Sequence, residues 1–293
     1  MMFDLVIYHG DCADGSCAAA LAQLRFPQIE MVAARHGDPE IPFERFRNRR
    51  ILMVDFTYKR EVMRQIGDLA ESVQVLDHHA SAVKELKDFS HPRMQIELDM
   101  TRSGAMMAWE FLGGSETPPW FVPYVQDRDL WRWALPESRA INAFFGLFPN
   151  VPETWEKMLG RRQSEAVSSG TILLLAHNQH VQSFLPHAFR SFWWTQQIAV
   201  VNCPPMFVSD VGHQLNVTGV DVSVMWYHHP QQNQMIFSLR SQSTDVLDIA
   251  RLYGGGGHPN AAGFELPFRQ GMNLLSEWID AGNRPMPPEQ ETL

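Results

Sequence analysis

Short apolar runs alternate with helical repeats through the first part of the chain. Four apolar, partly β-branched runs predict buried strands, and they span residues 5–8, 31–34, 51–54 and 73–76. Residues 16–24 and 60–69 carry apolar side chains at helical spacing instead. This alternation predicts an α/β domain with a mostly parallel sheet covered by helices.

The pattern continues with one more strand and then changes. Residues 94–98 predict a strand, and Ser103 is placed to cap a helix over residues 104–112, a role we favour over phosphate binding by residues 101–103. Residues 164–181 predict one long helix. The later apolar runs are short and β-like, and a helix over 245–252 follows them; the runs span residues 198–201, 222–226 and 235–239.

These changes predict four segments. Residues 1–150 form the α/β domain, 151–194 a helical linker, 195–275 a smaller α+β domain and 276–293 a C-terminal tail with little apolar material. We expect Phe192, Trp193 and Trp194 to make a hydrophobic hinge contact, with base stacking as the alternative. The linker helix would then act as a hinge beside a cleft between the domains.

Composition narrows the class of protein. The 293 residues are 45% hydrophobic and 19% charged, as in ordinary globular proteins, and no apolar run is long enough for a membrane span. With no basic leader at the start, a cytoplasmic protein is expected. Three cysteines are too few for a disulfide scaffold. The net charge of -9 argues against binding long nucleic acid but allows a small anionic ligand.

Acids and imidazoles gather where the predicted strands end. The run that ends at residue 76 delivers Asp77, His78 and His79, and the run that ends at residue 54 delivers Asp55. The first run leads into His9, Asp11 and Asp14, and a fourth acidic cluster contains Asp127 and Asp129. Because the carboxyl ends of strands in open α/β sheets carry active sites, this pattern indicates a metal site.

The order and the amino-acid sequences of these stretches resemble those of the DHH phosphoesterase family. Asp77-His78-His79 matches the motif that names the family, and the glycine-rich stretch from Gly254 to Gly263 resembles the signature of its DHH-associated C-terminal domain. The resemblance covers roughly residues 3–268. The sequences of the first and fourth clusters are similar to those of the family branch described as nanoRNases or cyclic nucleotide phosphodiesterases. It implies a DHH domain, a helical linker and a smaller DHH-associated domain.

The resemblance also implies roles for the clustered residues. It assigns Asp55 as the carboxylate that bridges two divalent ions, with His9 and the first-cluster acids on one or other ion and His78 plus a fourth-cluster acid on the second. His79 would stabilise the transition state or deliver a proton. Asp77 is either a ligand or, as we prefer, a partner that fixes an imidazole tautomer.

Two choices stay open at this point. Many family members space the first motif as His-x-x-x-Asp-x-Asp, whereas His9, Asp11 and Asp14 follow another phase. We favour Asp14 over Asp11, which could orient a neighbour instead. In the fourth cluster, Asp127 and Asp129 compete for one role. Carboxylate and imidazole ligands without thiolates suit Mn²⁺, with Mg²⁺, Co²⁺ and Fe²⁺ as alternatives.

The glycine-rich stretch predicts a phosphate-binding turn. Gly255, Gly256 and Gly257 let the backbone approach an anion and expose N–H groups to it, while His258 adds a polar contact. Arg240, at the end of a predicted strand, can form a fork to a terminal phosphate.

Together these features lead to one hypothesis and two alternatives. The hypothesis is a Mn²⁺-dependent phosphodiesterase that hydrolyses short oligoribonucleotides or cyclic dinucleotides, such as c-di-GMP, c-di-AMP or their linear products, to mononucleotides by a two-metal mechanism. The enzymatic alternative is an exopolyphosphatase, a pyrophosphatase or a phosphatase of 3′-phosphoadenosine 5′-phosphate (pAp). The other is a nucleotide-binding sensor without catalysis. The sequence leaves the exact substrate, the physiological metal and homodimerisation open.

Overall fold

The computed structural model describes residues 2–35, 37, 41–113 and 117–282. These residues belong to two compact units, Met1–Leu175 and Ala176–Leu293. The division falls inside the long helix rather than at residue 150. Residues 283–293 of the expected tail lie outside the described part, whereas residues 276–282 belong to the last helix.

The described residues of the first unit form five strands and seven α-helices, and an eighth α-helix continues into the second unit. The strands are β1 (Leu5–His9), β2 (Glu30–Ala34), β3 (Arg50–Val54), β4 (Ser72–Asp77) and β5 (Met94–Leu98). The helices are α1 (Ala13–Arg25), α2 (Arg60–Leu69), α3 (Ala80–Glu85), α4 (Gly104–Phe111), α5 (Val122–Asp129), α6 (Ser138–Phe145), α7 (Pro152–Met158) and α8 (Gln163–Phe184).

The five strands form one parallel sheet in the order β2-β1-β3-β4-β5, which confirms the predicted fold class. Residues 5–8 of β1 and 51–54 of β3 are apolar and buried at every position because both faces of the sheet are covered there. Val6 and Leu52 pack on one face with α1 and α4, while Ile7 and Met53 pack on the other with α2. The strand order reverses direction at β1, so the loops after β1 and β3 diverge there and leave room for a site.

Helix α7 belongs to the first unit by packing and by hydrogen bonding. Trp155 is fully buried beside Phe121 and Phe145, and its Nε1–H donates to Ser16 Oγ at 2.8 Å. Ser16 lies in α1, the helix that follows β1. The first unit therefore extends past the predicted boundary because α1 needs a partner from residues 152–158.

The second unit is built on a six-stranded mixed sheet. Its strands are β6 (Phe189–Trp193), β7 (Gln196–Asn202), β8 (Val222–His229), β9 (Gln234–Arg240), β10 (Gly256–His258) and β11 (Ala261–Pro267), in the order β10-β11-β9-β8-β7-β6. Its helices are α9 (Val208–Val217), α10 (Val246–Leu252) and α11 (Phe268–Gly282). Only β7 and β8 pair in parallel among these strands, which agrees with an α+β domain.

Each face of this sheet buries a different apolar cluster. On one face Phe237, Phe264 and Trp278 pack with α10 and α11. On the other face Met225 packs against Val211 of α9. Trp193 is buried in the first of these clusters, whereas Trp194 lies at the β6–β7 turn and is 59% exposed.

No helix in the described part of the chain combines the length and the apolar character that crossing a bilayer requires.

Candidate active site

The chemically reactive side chains meet at one edge of the parallel sheet. His9 is the last residue of β1, Asp55 follows β3, and Asp77 ends β4 just before His78 and His79. Since parallel strands end on the same side of the sheet, these loops lie next to one another.

One group of side chains surrounds His78. Its Nε2 lies 3.1 Å from Asp55 Oδ1, 3.4 Å from Asp129 Oδ2 and 3.8 Å from Asp14 Oδ2. Asp14, Asp55 and His78 offer ligand atoms that all lie within 4.8 Å of one another, and all three residues are buried. This spacing is suited to a single cation.

A second group shares Asp55 with the first. His9 Nδ1 lies 3.6 Å from Asp55 Oδ2, and His79 Nδ1 lies 3.7 Å from Asp55 Oδ1. These three residues also offer ligand atoms within 4.8 Å of one another. One carboxylate thus lies between two groups of nitrogen and oxygen donors, which is the arrangement that a bridging ligand requires.

The backbone around Asp55 is held in an uncommon conformation. Its φ is +58°, and its N–H donates to Leu76 O at 2.9 Å. Gly104, the first residue of α4, packs so closely that an added Cβ would lie 2.6 Å from Asp55 Cβ. A left-handed, tightly packed residue at a strand end is typical of functional positions.

Helix α4 also fixes Asp14. The Gly104 N–H donates to Asp14 Oδ2 at 2.5 Å and the Ala105 N–H donates to Asp14 Oδ1 at 3.0 Å. The N-terminus of a helix favours a negative charge, so α4 orients the carboxylate and its N–H groups oppose the effect of burial on the Asp14 pKa. Ser103 caps this helix by accepting from the Met106 N–H, as the sequence predicts.

Asp77 orients the histidine pair. Its Oδ1 accepts from the backbone N–H groups of His78 and His79 at 2.7 and 3.0 Å, and it lies 2.7 Å from His79 Nδ1. Because a carboxylate accepts, Nδ1 of His79 carries the proton and Nε2 is left with its lone pair. The contacts match the tautomer-fixing role weighed above for Asp77.

The electrostatics of the cluster reflect its crowding. Burial raises the pKa of Asp14, and the charges of Asp129 and Asp55 raise it further. Burial also raises the pKa of Asp129. For Asp55, burial favours the neutral acid, but the imidazoles of His78 and His9 outweigh it and lower the pKa.

Both histidines of the motif gain basicity from the surrounding acids. Burial opposes protonation of His78, yet the hydrogen bond to Asp55 and the charges of Asp129 and Asp14 raise its pKa to about 10. Asp77 and Asp55 raise the pKa of His79 in the same way, against the effect of burial. The protons on these two imidazoles therefore supply positive charge that a bound metal cation could supply instead.

Within each of the two acidic clusters, the two candidate acids lie in different surroundings. Asp11 is 71% exposed and pairs with Arg35 at 2.5 Å, outside both groups, whereas Asp14 lies inside one. Asp127 is buried, and its carboxylate accepts from the N–H groups of residues 134 and 135. Asp129 is the acid that approaches His78.

The donor set fits divalent cations. Asp55 Oδ2 is buried and accepts no hydrogen bond from any residue in the described part of the chain. A buried, unsatisfied carboxylate oxygen is costly unless a cation or a donor compensates it. The surrounding donors are carboxylates and imidazoles, which suit Mn²⁺ and related ions. Asp14, Asp55, His78 and Asp129 on one side, and His9 with Asp55 on the other, are the residues that would hold them.

In the second unit, Arg240 is a partly buried cation with neutral partners among the described residues. Its Nη1–H donates to Leu239 O at 2.9 Å and its Nη2–H donates to Ser209 Oγ at 3.0 Å. No carboxylate of the described residues pairs with it, and burial lowers its pKa. A guanidinium in this environment has donors left for an anion.

The glycine-rich stretch forms an edge strand rather than an isolated turn. Gly256, Gly257 and His258 pair with β11, which pairs in turn with β9. Gly257 has a φ of +136°, and an added Cβ there would lie 2.5 Å from Ala261 O, so only glycine fits. His258 and Arg240 both pair with Ala261, so all three side chains are on the same face of the sheet.

Sequence reasoning missed several residues that shape the site. Gly104 carries the closest approach to Asp55, and the Asn150 side chain donates to Asp11 O at 3.0 Å, which ties down the loop after β1. A glycine directly after a helix cap was the one available signal for close packing. Nothing in the sequence indicated the long-range contact of Asn150.

Comparisons with known proteins place this geometry in a known fold. No family model matches the chain. An uncharacterised protein, R106, of Acanthamoeba polyphaga mimivirus is 28% identical over 304 residues, which cover 95% of this chain and 71% of that protein.

Two solved structures resemble the chain over its whole length. One is a pGpG-specific phosphodiesterase, PggH, from Vibrio cholerae, at 15% identity and a TM-score of 0.53, covering 96% of this chain and 99% of that one. The other is RecJ in complex with Mn²⁺ from Thermus thermophilus, at 17% identity and a TM-score of 0.52, covering 97% of this chain and 53% of that one. The chain has the DHH phosphoesterase fold.

Proposed function

We propose that the protein is a metal-dependent phosphodiesterase, active with Mn²⁺, that hydrolyses short oligoribonucleotides or cyclic dinucleotides and their linear products to mononucleotides. The observation that carries this proposal is the position of Asp55 between two groups of donors at the carboxyl edge of a DHH-type sheet. The pGpG-specific activity named for a structure of the same fold supports the substrate class.

The residues of the first unit would divide the work. Bound divalent ions would polarise the phosphoryl group and lower the pKa of an attacking water. Asp14, Asp55, His78 and Asp129 would hold these ions, while His9 completes the second group around Asp55.

His79 is the residue we assign to proton transfer. Its Nδ1 is fixed by Asp77 at 2.7 Å, so Nε2 has a defined direction. With a pKa raised by Asp77 and Asp55, the ring can carry a proton and give it to the leaving oxygen. Asp77 acts through His79 by holding its ring.

The second unit would hold the substrate through its phosphates. Arg240 offers a charged fork, and Gly255 leads into an edge strand in which Gly256 and Gly257 carry no side chain and His258 adds a polar contact. The net charge of -9 disfavours a long polyanion, so a short substrate gripped at a few points is the better match.

The test is a substrate panel with purified full-length protein and Mn²⁺. We expect release of mononucleotide from at least one of pGpG, pApA, c-di-GMP and c-di-AMP. Pyrophosphate, polyphosphate and pAp serve as comparison substrates. Release of phosphate from these alone would reject the phosphodiesterase and favour the phosphatase alternative. No turnover of any compound, with Mn²⁺ bound, would favour a binding protein.

Two variants separate the roles of the histidines. His78→Ala should lose both Mn²⁺ and activity, because His78 contacts three carboxylates. His79→Ala should keep most of the bound Mn²⁺ and lose about 10²- to 10⁴-fold in kcat, the usual contribution of a general acid. Loss of Mn²⁺ from both variants to the same extent would contradict the assignment of His79.

A further inference from the structure

A tryptophan-bearing loop directly follows the acid that approaches His78. Asp129 ends α5, and Trp131 comes two residues later, so the two Cα atoms lie at most about 7 Å apart. Trp131 is 40% exposed. The chain therefore places a large, partly exposed aromatic residue next to an acid of the proposed catalytic centre.

The backbone of this loop is strained in an unusual way. Trp131 and Trp133 have φ values of +53° and +51°, a conformation that bulky side chains rarely adopt. Such conformations persist only where the surroundings enforce them, and they concentrate at ligand-binding sites. The conformation turns these two indoles in directions that an ordinary helix end would not give.

Hydrogen bonds to Asp127 hold the loop in this conformation, together with a contact between Arg132 and Thr101. The Asp127 carbonyl accepts from the N–H groups of Arg132 and Trp133 at 2.8 and 3.3 Å, and its carboxylate accepts from the next two N–H groups. Arg132 Nη2–H also donates to Thr101 O at 2.5 Å. The Asp127 carboxylate is therefore engaged in hydrogen bonds to the loop backbone rather than in a contact with His78.

The exposed Trp131 ring packs against a second indole ring. Trp131 meets Trp133 edge to face, with ring centres 5.1 Å apart. The guanidinium of Arg139 lies 4.5 Å from the centre of the Trp133 ring on a cation–π contact. An aromatic side chain that is already immobilised loses little entropy when a ligand stacks on it.

The charges beside Trp131 favour an anionic ligand with an aromatic part. Arg128 and Arg132 flank it in sequence and are both exposed. Proteins that bind single-stranded nucleic acids combine aromatic rings, on which bases stack, with cations that attract the phosphates, and Trp131 with its neighbouring arginines has both components.

We infer that Trp131 is a base-stacking residue and that it makes the site prefer purine nucleotides, whose larger rings stack more strongly. The inference rests on the proposed function for the identity of the substrate. It adds a residue that binds the base beside the residues that act on phosphate.

The test measures binding of single nucleotides to the full-length, Mn²⁺-loaded protein by calorimetry. The probes are GMP, UMP and ribose 5-phosphate, which share a phosphate and differ in the base. The wild-type protein should bind GMP more tightly than UMP, and UMP more tightly than ribose 5-phosphate. Equal binding of all three would overturn the inference, as would binding of none.

Three variants sharpen this test. Trp131→Ala should weaken GMP about 5- to 150-fold and ribose 5-phosphate less than about twofold, and Trp131→Phe should retain most of the GMP affinity. Trp194→Ala is the matched control, since Trp194 is an exposed tryptophan with a φ of +54° in the other unit. A loss of GMP binding in Trp194→Ala instead of Trp131→Ala would assign stacking to the β6–β7 turn and overturn the proposal.

Hydrolysis of pGpG, measured in parallel, separates this inference from the proposed function. Hydrolysis that proceeds while Trp131→Ala keeps the full purine preference would leave the enzyme in place and reject the stacking role. Purine binding that depends on Trp131, without hydrolysis of any dinucleotide, would support the stacking site and reject the phosphodiesterase.

Discussion

The donor cluster of the first unit crowds three carboxylates around His78, whereas Arg240 of the second unit is a partly buried cation whose partners among the described residues are neutral. In the cluster, Asp14, Asp55 and Asp129 crowd one another, and one Asp55 oxygen accepts no hydrogen bond from the described residues. Among the described residues, Arg240 donates to a carbonyl and to a hydroxyl and pairs with no carboxylate. Since buried charges are costly when uncompensated, the first region calls for cations and the second for an anion.

Arg102 shows what a compensated arginine looks like in the same chain. It forms ion pairs with Glu97, Asp99 and Glu110, and these acids raise its pKa. Those contacts satisfy its guanidinium and stabilise the start of α4. The comparison separates an arginine that supports the fold from one that can bind a ligand.

The largest effect is expected from Asp55→Asn, which removes the negative charge from both donor groups while keeping the shape. Replacing a residue that only supports a ligand costs about 10- to 100-fold in metal affinity, so losing the shared carboxylate should cost more than about 100-fold. Hydrolysis should fall with it. Calorimetric titration with Mn²⁺ and elemental analysis measure the effect, and wild-type Mn²⁺ affinity in this variant would break the model.

Arg240→Gln should weaken substrate binding without weakening the fold. Losing hydrogen bonds to a charged group should raise KM about 10- to 150-fold, while the free energy of unfolding stays the same or rises because a partly buried, uncompensated cation is gone. Arg102→Gln is the matched control: it should lower the free energy of unfolding and change KM much less. Urea unfolding and steady-state kinetics check both, and the reverse pattern would contradict the contrast between the two arginines.

Mn²⁺ affinity should rise with pH. His78 has a pKa of about 10 without metal, so near neutral pH it holds a proton that a cation must displace. Each displaced proton strengthens binding about tenfold per pH unit, up to the pKa of the group. Titrations between pH 6 and pH 8 in buffers of different ionisation enthalpy report the released protons, and a flat profile would contradict this assignment.

The smallest effect is expected from Asp11→Asn. Asp11 is an acid of the first cluster by sequence, but its carboxylate is exposed and paired with Arg35. We expect Mn²⁺ affinity and kcat to change less than about twofold, because exposed ion pairs contribute little. A loss comparable to that of Asp14→Asn would place Asp11 at the metal after all.

The main features of the fold follow from local patterns. Buried β-branched runs and helical repeats specify the parallel sheet, and its carboxyl edge places His9, Asp55 and His78 close together. The choice between Asp127 and Asp129 was beyond the sequence, since it depends on where residues 134 and 135 return to α5. The packing of α7 on α1 was beyond the sequence for the same reason, because the contact between Trp155 and Ser16 joins residues far apart in the chain.

That contact sets a limit on how the protein can be dissected. A fragment that ends at residue 150 would lack the Trp155 indole that packs against α1. The Ser16 hydroxyl and several aromatic rings would then face water. Because α1 presents Asp14, an excised catalytic half would need to run at least through α7 to remain a usable module.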